Sequence, residues 1–363
     1  MKPLRLTLLA LLVALLVAAA VTPLIAQNVT PFASGFNNPR GLKFGPDGNL
    51  YVAEGGAGGL LSTVGLCDQA AGPPAGPGPY TGGYTARISK VSPNGARTTV
   101  AEHLPSSQTS AAFGNLVSGV ADVAFLDGKL YALLAGAGCS HGLSGTNNGI
   151  IRINSDGSWT EIANLSAFQK AHPVANREPD DFEPDGTRFS MVVADGAFYA
   201  VEPNHGELDG ITADGHIWRV SDISNIQGHI VPTSIAFNGR NFYIGNLDTF
   251  PIKDGSSKIM KITPSGTLTT VYINFTTVLG LAFDNKGRLY ALENTTGNPF
   301  PTPGTGKVVR IDGKNKVTEI ATGLVLPTAM TFGPDGNLYV SVVGFGPPPI
   351  GLGAVVKIAV PAE

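Results

Sequence analysis

Four polar residues occupy one position of a repeated sequence pattern, and their side chains together could bind a cation. Each lies three residues after a tyrosine of the pattern, and the set is Glu54, Glu202, Asn246 and Glu293. Carboxylate and amide oxygens are the ligands that Ca²⁺ and other hard divalent cations take in proteins. Converging carboxylates also repel one another, so a cation or a proton must accompany them. The pattern therefore predicts a divalent-cation site, with separate capping of loop N–H groups by each side chain as the alternative.

A second group of candidates lies in and near residues 201–209, the densest polar stretch of the chain. Glu202, Asn204 and His205 offer a carboxylate, an amide and an imidazole to a ligand, although a lone loop histidine can also simply be solvated. Asp122 carries a charge where equivalent positions of other repeats hold Gly, Ser or Ala. We therefore predict that Asp122, Glu202, Asn204 and His205 contact a ligand.

Other motifs with known chemistry are weak or missing. Residues 181–186 imitate the opening of a calcium-binding loop, but Val192 stands where such a loop needs a bidentate Glu. An acidic, solvated loop is the alternative for this segment. The sequence contains no Gly-x-Ser-x-Gly, His-Glu-x-x-His or nucleotide-binding loop. Whether the protein is an enzyme stays open at this point.

Repeated β-hairpins must position these residues. An apolar strand, a turn with Gly and a strand with Tyr recur six times, and most of the turns contain Asp-Gly or Asn-Gly, which tolerate positive φ. A second strand pair follows each hairpin. Four strands in each of six repeats predict an all-β, six-bladed β-propeller. The last repeat lacks an outer strand, and residues 29–33 are predicted to supply it and close the ring. The repeat tyrosines are Tyr51, Tyr131, Tyr199, Tyr243, Tyr290 and Tyr339.

The additional chain between repeats lies on one side of the predicted propeller. Residues 55–85 and 135–148 join second to third strands, and residues 105–119 and 166–188 join blades. Both kinds of connection open on the same face, opposite the Asp-Gly turns; we call it the elaborated face. Enlarged loops on one face are typical of a binding surface. We therefore expect any function to lie there.

The two cysteines are predicted to form a disulfide. Cys67 and Cys139 both fall in second-to-third-strand loops of neighbouring blades. An oxidising compartment permits the bond. Two free buried thiols are the alternative.

The N-terminus has the parts of a secretory signal peptide. Lys2 and Arg5 precede a short apolar run, and a small residue, Ala26, ends the segment. We expect residues 1–26 to be a signal peptide and 27–363 to be one propeller domain, secreted or periplasmic and monomeric. An uncleaved anchor is the alternative, and no later segment is apolar enough to span a membrane. Because only 14% of residues are charged and no basic cluster occurs, a nucleic acid partner is not expected.

Several stretches resemble the ScyD/ScyE family of exported bacterial propellers, within the NHL- and SMP-30-like superfamily. Residues 39–56, with Pro-Arg-Gly-Leu and Leu-Tyr-Val-Ala-Glu-Gly-Gly, resemble the family's start, and residues 104–106, 120–123 and 201–208 follow in its order. The resemblance covers nearly the whole chain after residue 26. It implies a six-bladed propeller outside the cytoplasm and no settled reaction.

A looser likeness extends to gluconolactonase-like lactonases, which hold a divalent cation with Glu, Asn and Asp at the channel mouth. Two functions are therefore expected as alternatives. The first is an accessory protein that binds a small molecule or a protein on the elaborated face. The second is a divalent-metal-dependent hydrolase in which Ca²⁺ or another cation polarises a carbonyl and Glu202 or Glu293 activates water.

Overall fold

The computed structural model describes residues 28–179, 182–314, 316–344 and 351–361. Within these ranges, 25 strands form six antiparallel sheets. The first strand of each sheet contacts the first strand of the next, and the sixth returns to the first. The sheets are therefore the blades of a closed six-bladed propeller, as predicted. The expected signal peptide, residues 1–26, lies outside the described residues.

Each blade contains four consecutive strands, except that blade 6 takes its outer strand from the N-terminus and blade 1 has a fifth. Blade 1 is β2 Pro39–Phe44, β3 Leu50–Glu54, β4 Thr81–Val91, β5 Arg97–Gln108 and β6 Val117–Ser118; blade 2 is β7 Val120–Leu126, β8 Lys129–Leu134, β9 Gly149–Ile153 and β10 Trp159–Asn164. Blade 3 is β11 Ser190–Ala194, β12 Ala197–Glu202, β13 Glu207–Thr212 and β14 Ile217–Asp222; blade 4 is β15 Pro232–Phe237, β16 Phe242–Asn246, β17 Ser257–Ile262 and β18 Leu268–Phe275. Blade 5 is β19 Val278–Phe283, β20 Leu289–Glu293, β21 Gly306–Gly313 and β22 Lys316–Leu324; blade 6 is β23 Ala329–Phe332, β24 Leu338–Val342, β25 Gly353–Ile358 and β1 Val29–Phe36.

The N-terminal strand closes the ring. β1 pairs with β25 in antiparallel fashion, with Val29 opposite Ile358 and Phe36 opposite Gly353. The closing strand predicted over residues 29–33 is thus confirmed, and it extends to Phe36. Because β25 runs from the elaborated face towards the Asp-Gly turns, β1 begins on the turn side of the propeller.

The repeat tyrosines join the blades. Each tyrosine ring contacts a phenylalanine of the following blade, with ring centroids 4.3–5.2 Å apart. The pairs are Tyr51–Phe125, Tyr131–Phe198, Tyr199–Phe242, Tyr243–Phe283, Tyr290–Phe332 and Tyr339–Phe44. Aromatic pairs contribute about 0.5–1.5 kcal/mol beyond their buried area. The same residue of the repeat therefore stabilises each of the six blade interfaces.

The aspartates of the turns have structural roles. Asp127 and Asp195 have φ of 51° and 48°, as turns with positive φ require. Asp47 and Asp335 accept hydrogen bonds at 3.0 Å from the hydroxyls of Tyr51 and Tyr339, four residues later. These carboxylates lie opposite the elaborated face and fix the strand ends.

Two short helices and an extra strand lie among the connections of the elaborated face. Helix α1 spans Leu165–Ala171 and helix α2 spans Ile223–Gln227. The connection expected as loop over 105–119 is partly strand, because β5 continues to Gln108 and pairs Ser107 with Ser118 of β6. Within the described ranges, no helix is long and apolar enough to cross a membrane.

Candidate functional site

The three glutamates of the predicted cation site each cap the connection that enters their own blade. Glu54 accepts the N–H of Asn37 at 2.7 Å, and Glu293 accepts that of Thr276 at 2.6 Å. Glu202 accepts the N–H of Thr187 at 2.9 Å. The repeated position therefore satisfies an N–H group about 15 residues upstream in each of these blades.

Further contacts occupy the remaining oxygens of this set. The second oxygen of Glu54 accepts from Arg87 Nε at 2.7 Å and from Ser89 Oγ at 2.5 Å. Glu293 pairs with Lys307 at 3.2 Å, and the second oxygen of Glu202 accepts the His205 N–H. Asn246 accepts the Lys258 N–H at 2.7 Å and donates to Ile230 O at 2.8 Å.

These contacts do not suit a shared cation. The side-chain oxygens that would bind a cation already accept hydrogen bonds or pair with a cation of their own blade or the connection into it. This holds for Glu54, Glu202, Asn246 and Glu293. Over the described ranges, no group of three or more His, Cys, Asp or Glu side chains is arranged to hold a metal ion. The arrangement is the capping alternative, and no catalytic step through a metal follows from it.

Blade 3 departs from this pattern and contains a buried charge cluster. The residue paired with Glu54 on β4 is Arg87, whereas the residue paired with Glu202 on β13 is a second carboxylate, Glu207. Arg188, at the end of the connection between blades 2 and 3, supplies the opposite charge to these carboxylates. Its guanidinium donates to Asp209 Oδ2 at 2.6 Å and lies 3.3 Å from Glu207 Oε1.

The charges of this cluster shift one another's pKa. Burial lowers the pKa of Arg188, but Asp209, Glu207 and Glu202 outweigh it and raise that pKa overall. Burial raises the pKa of Glu202, but His205, Arg188 and main-chain N–H groups bring it below its usual range. Burial raises the pKa of Asp209 to about 7, against the opposing effect of Arg188. The cluster thus joins three carboxylates to Arg188, and Arg219 also donates to the second oxygen of Glu207, at 2.6 Å.

The predicted ligand residues of blade 3 lie inside the protein. Glu202, Asn204 and His205 are 0%, 9% and 3% exposed. His205 Nε2 lies 2.9 Å from Glu183 O and 3.3 Å from Gln169 Nε2. The structure therefore brings Glu202 and His205 together, but in contacts that fix the connection over 166–188. Their contact with a ligand stays a prediction.

A second buried network joins blades 1, 2 and 3. Tyr80 donates to Glu183, whose other oxygen lies 3.5 Å from His141 Nε2. His141 Nδ1 lies 2.9 Å from Ser107 Oγ. A serine, a histidine and a carboxylate in this order suit nucleophilic catalysis. Ser107 and His141 are 0% exposed, however, and burial lowers the pKa of His141 to about 4. The contacts therefore join the three blades in a region closed to solvent.

The predicted disulfide is present. Cys67 and Cys139 are bonded, with Cα atoms 6.3 Å apart and a separation of 72 positions in the sequence. Thr63 donates to the carbonyl of Cys139 beside the bond. The insertion over 55–85 is therefore fixed to the neighbouring loop of blade 2.

Asp122 lies in the central channel. The first strands of several blades enclose a cavity of about 30 Å³ there, with Ser190 and Ser234 also in its wall. Asp122 accepts the N–H of Met191 at 2.9 Å and thereby links the first strands of blades 2 and 3. Burial raises its pKa, against the effect of Lys43. The cavity is large enough for water and too small for a metabolite.

Arg40 lies above this channel at its mouth on the elaborated face. It is half-buried on the first strand of blade 1. Its guanidinium donates to the carbonyl of Val117, ahead of blade 2, and lies 5.9 Å from the ring of Phe189, ahead of blade 3. Burial lowers the pKa of Arg40 to about 10. The side chain therefore reaches across the entry of two neighbouring blades and stays charged at neutral pH.

Exposed apolar side chains are concentrated on the elaborated face. Among the described residues, nine of the thirteen large exposed apolar side chains lie in its connections, and the other four lie in strands. The nine are Leu60, Leu61, Val64, Leu66, Phe113, Ile226, Phe250, Phe300 and Leu352. Four of them fall within residues 60–66, which contain no charged residue. We call residues 60–66 the aliphatic tip.

Comparisons with known proteins show a likeness of fold. No family model matches the chain, and no curated protein matches it in sequence. A gluconolactonase from Xanthomonas campestris has a similar structure (TM-score 0.55, 12% identity, 92% of this chain and 89% of that one). A putative oxidoreductase (glucose dehydrogenase) from Thermus thermophilus has a TM-score of 0.57, 15% identity and coverage of 91% and 99%. Regucalcin from Agrobacterium tumefaciens, a calcium-binding protein, has a TM-score of 0.53, 14% identity and coverage of 91% for each chain.

The shared feature is the propeller. Because each identity is far below the level at which residues can be equated, no activity or ligand passes from these proteins to this one. The site must be interpreted from its own residues.

Sequence comparison within the chain missed Arg40, although the signal was present. Arg40 lies one residue before the repeat position that Asp122 occupies in blade 2. The other five blades hold, at the position of Arg40, Ala121, Phe189, Thr233, Leu279 and Thr328. Arg40 is the one charged residue in that series. The comparison that singled out Asp122, made one residue earlier, would have found it.

Proposed function

We propose that the protein is a non-catalytic binding protein whose elaborated face receives a protein partner. The observation that carries this proposal is the concentration of exposed apolar side chains on that face. In the aliphatic tip, Leu60 is 89% exposed and Leu66 is 73% exposed. Exposed apolar groups of this kind are typical of interaction surfaces.

Charge favours a protein over a nucleic acid or an anionic membrane as the partner. Residues 105–119, 135–148 and 294–305 contain no Asp, Glu, Lys or Arg, and residues 55–85 contain Asp68 alone. These four loops present no Lys or Arg to attract phosphate groups, and on the same face Lys170 and Arg177 lie in the connection over 166–188 beside acidic residues. Burying loops without charged groups costs little desolvation free energy. Such loops therefore suit contact with an apolar surface of another protein.

The position of the N-terminus supports the same partner. β1 begins on the turn side, where Asn28 lies against Ile320 and Ala359. An anchored segment ahead of residue 28 would therefore direct the elaborated face away from its membrane. We infer an extracytoplasmic location, which the disulfide and the resemblance to the ScyD/ScyE family support. The divalent-metal hydrolase, the alternative that the gluconolactonase-like fold suggests, is disfavoured because its four expected donors are engaged as caps.

Site-specific photo-crosslinking tests the proposal. Benzoylphenylalanine is introduced at position 60, 66 or 300 of the full chain, and adducts are analysed after irradiation of the producing cells. Val317, 47% exposed on an outer strand, is the matched control because it is apolar but away from the elaborated face. We expect adducts of one mass from the three loop positions and none from position 317. Equal labelling from all four positions, or none, would overturn the proposal.

A further inference from the structure

Arg40 has more hydrogen-bonding capacity than the protein uses. A guanidinium presents five N–H donors in a planar fork. In the described parts of the chain, that of Arg40 makes one hydrogen bond, to Val117 O, and no ion pair. The contrast with Arg188 is direct, because Arg188 is surrounded by Asp209 and Glu207. Arg40 is thus a half-buried positive charge, and no carboxylate of the described residues pairs with it.

The geometry around Arg40 is fixed by its neighbours. The carbonyl of Val117 holds one side of the guanidinium, and the face of Phe189 lies 5.9 Å away. A cation–π contact at this distance adds a modest attraction to the hydrogen bond. Together the carbonyl and the ring favour one orientation of the fork, which lowers the entropy that binding costs.

We propose that the channel mouth binds the carboxylate of a small organic acid, with Arg40 as its charged partner and Phe189 against its apolar body. Arg forms bidentate pairs with carboxylates through two parallel N–H···O bonds. Because the loops over 105–119, 135–148 and 294–305 carry no charged residue, little there competes for the guanidinium. The site is distinct from the aliphatic tip in both residues and ligand.

The channel determines how such a ligand lies. The cavity beneath the mouth is about 30 Å³, and Asp122 occupies its wall. A ligand moving downwards would meet that side chain in a space too small for its body. The ligand body therefore stays in the mouth, between the loops, and does not enter the channel.

Calorimetric titration with sodium benzoate tests this site. Benzamide has the same shape without charge, and benzylammonium has the opposite charge. We expect benzoate to bind the wild-type protein and at least tenfold weaker binding in Arg40→Gln, because charge-assisted hydrogen bonds are lost. Arg40→Lys keeps the charge without the fork and should be intermediate. Arg240→Gln, an exposed residue on the opposite face, is the matched control and should match wild type.

Three results would overturn the proposal: no benzoate binding, equal binding by benzamide, or unchanged affinity in Arg40→Gln. Circular dichroism of each variant confirms folding, and Arg40→Lys carries the test if Arg40→Gln does not fold. Leu60→Ser should leave benzoate binding unchanged. The organic-acid site and the protein-binding face can therefore fail separately.

Discussion

Replacing Glu202 and Glu293 by Gln, one at a time, separates a capping role from a shared role at a cation. Both side chains occupy the same repeat position and accept a main-chain N–H, from Thr187 and Thr276 respectively. Their surroundings differ, because the pKa of Glu202 lies below its usual range and that of Glu293 above it. Gln keeps the shape and removes the charge. The cost of each substitution therefore reports how strongly each site favours the charged form.

The expected losses differ in size. Glu202 uses both oxygens as charged acceptors, for Thr187 and His205, and Gln preserves one of them. Loss of one hydrogen bond to a charged group costs about 2 kcal/mol. For a domain of about 330 residues this lowers the Tm by about 3 °C. Glu293→Gln keeps the bond from Thr276 and loses the ion pair with Lys307, which is 26% exposed. Because it also removes a buried charge, its cost should stay below about 1 kcal/mol.

The dependence on pH has opposite signs at the two positions. Folding lowers the pKa of Glu202, so its stabilisation is present above the unfolded pKa and is lost as pH falls through the folded pKa. Glu202→Gln should therefore differ from wild type most at neutral pH. Folding raises the pKa of Glu293, so stability is lost as pH rises through that pKa. Glu293→Gln should gain relative to wild type over the same interval.

Scanning calorimetry of the wild type and both variants between pH 4 and 8 measures these differences. The scans are repeated after addition of a chelator, which should leave the wild-type Tm unchanged. Equal losses in the two variants, together with a chelator-sensitive wild type, would refute the capping interpretation. That result would instead indicate one cation shared by the equivalent carboxylates.

Three further perturbations follow from the described contacts. Replacing Cys67 and Cys139 by Ser opens a loop of 72 residues, and the loss of stability should be about 4 kcal/mol, or about 6 °C in Tm by calorimetry. Asp209→Asn should flatten the decline of wild-type stability between about pH 4 and 7 in urea titrations, because burial raises this pKa to about 7. Gly41→Ala should cost about 1–3 kcal/mol, since its Cβ would lie 2.8 Å from the Cα of Asp122; an unchanged Tm would contradict the close packing of these first strands.

The fold could be predicted because each blade repeats the same local rules. The Gly turns fix the hairpins, and the tyrosine at one position of each repeat fixes the register of the second strand. The position of the closing strand could also be predicted. The last repeat lacked an outer strand, and residues 29–33 formed a strand-like segment ahead of the first repeat. The continuation of β5 to Gln108 was not predictable, because its partner, Ser118, lies in a connection without a strand pattern.

The site was less accessible from sequence. Register placed Glu54, Glu202 and Glu293 at equivalent positions correctly, but it does not reveal which groups face their oxygens. Those groups lie in connections whose paths depend on tertiary packing, such as the N–H of Thr187. Arg188 illustrates the same limit, since nothing in its local sequence indicates that Asp209 lies 2.6 Å from it.

Closure of the ring by β1 constrains how the protein matures. Asn28 and its hydrogen-bond partner Ala359 are 331 residues apart along the chain, so the first strand has no partner until the last one has been made. Contacts of such long range slow folding, and an unpaired strand invites pairing with other chains. During synthesis the emerging chain must therefore keep its N-terminal strand from aggregating. Loss of β25 would deprive blade 6 of its closing pair however well the first five blades fold.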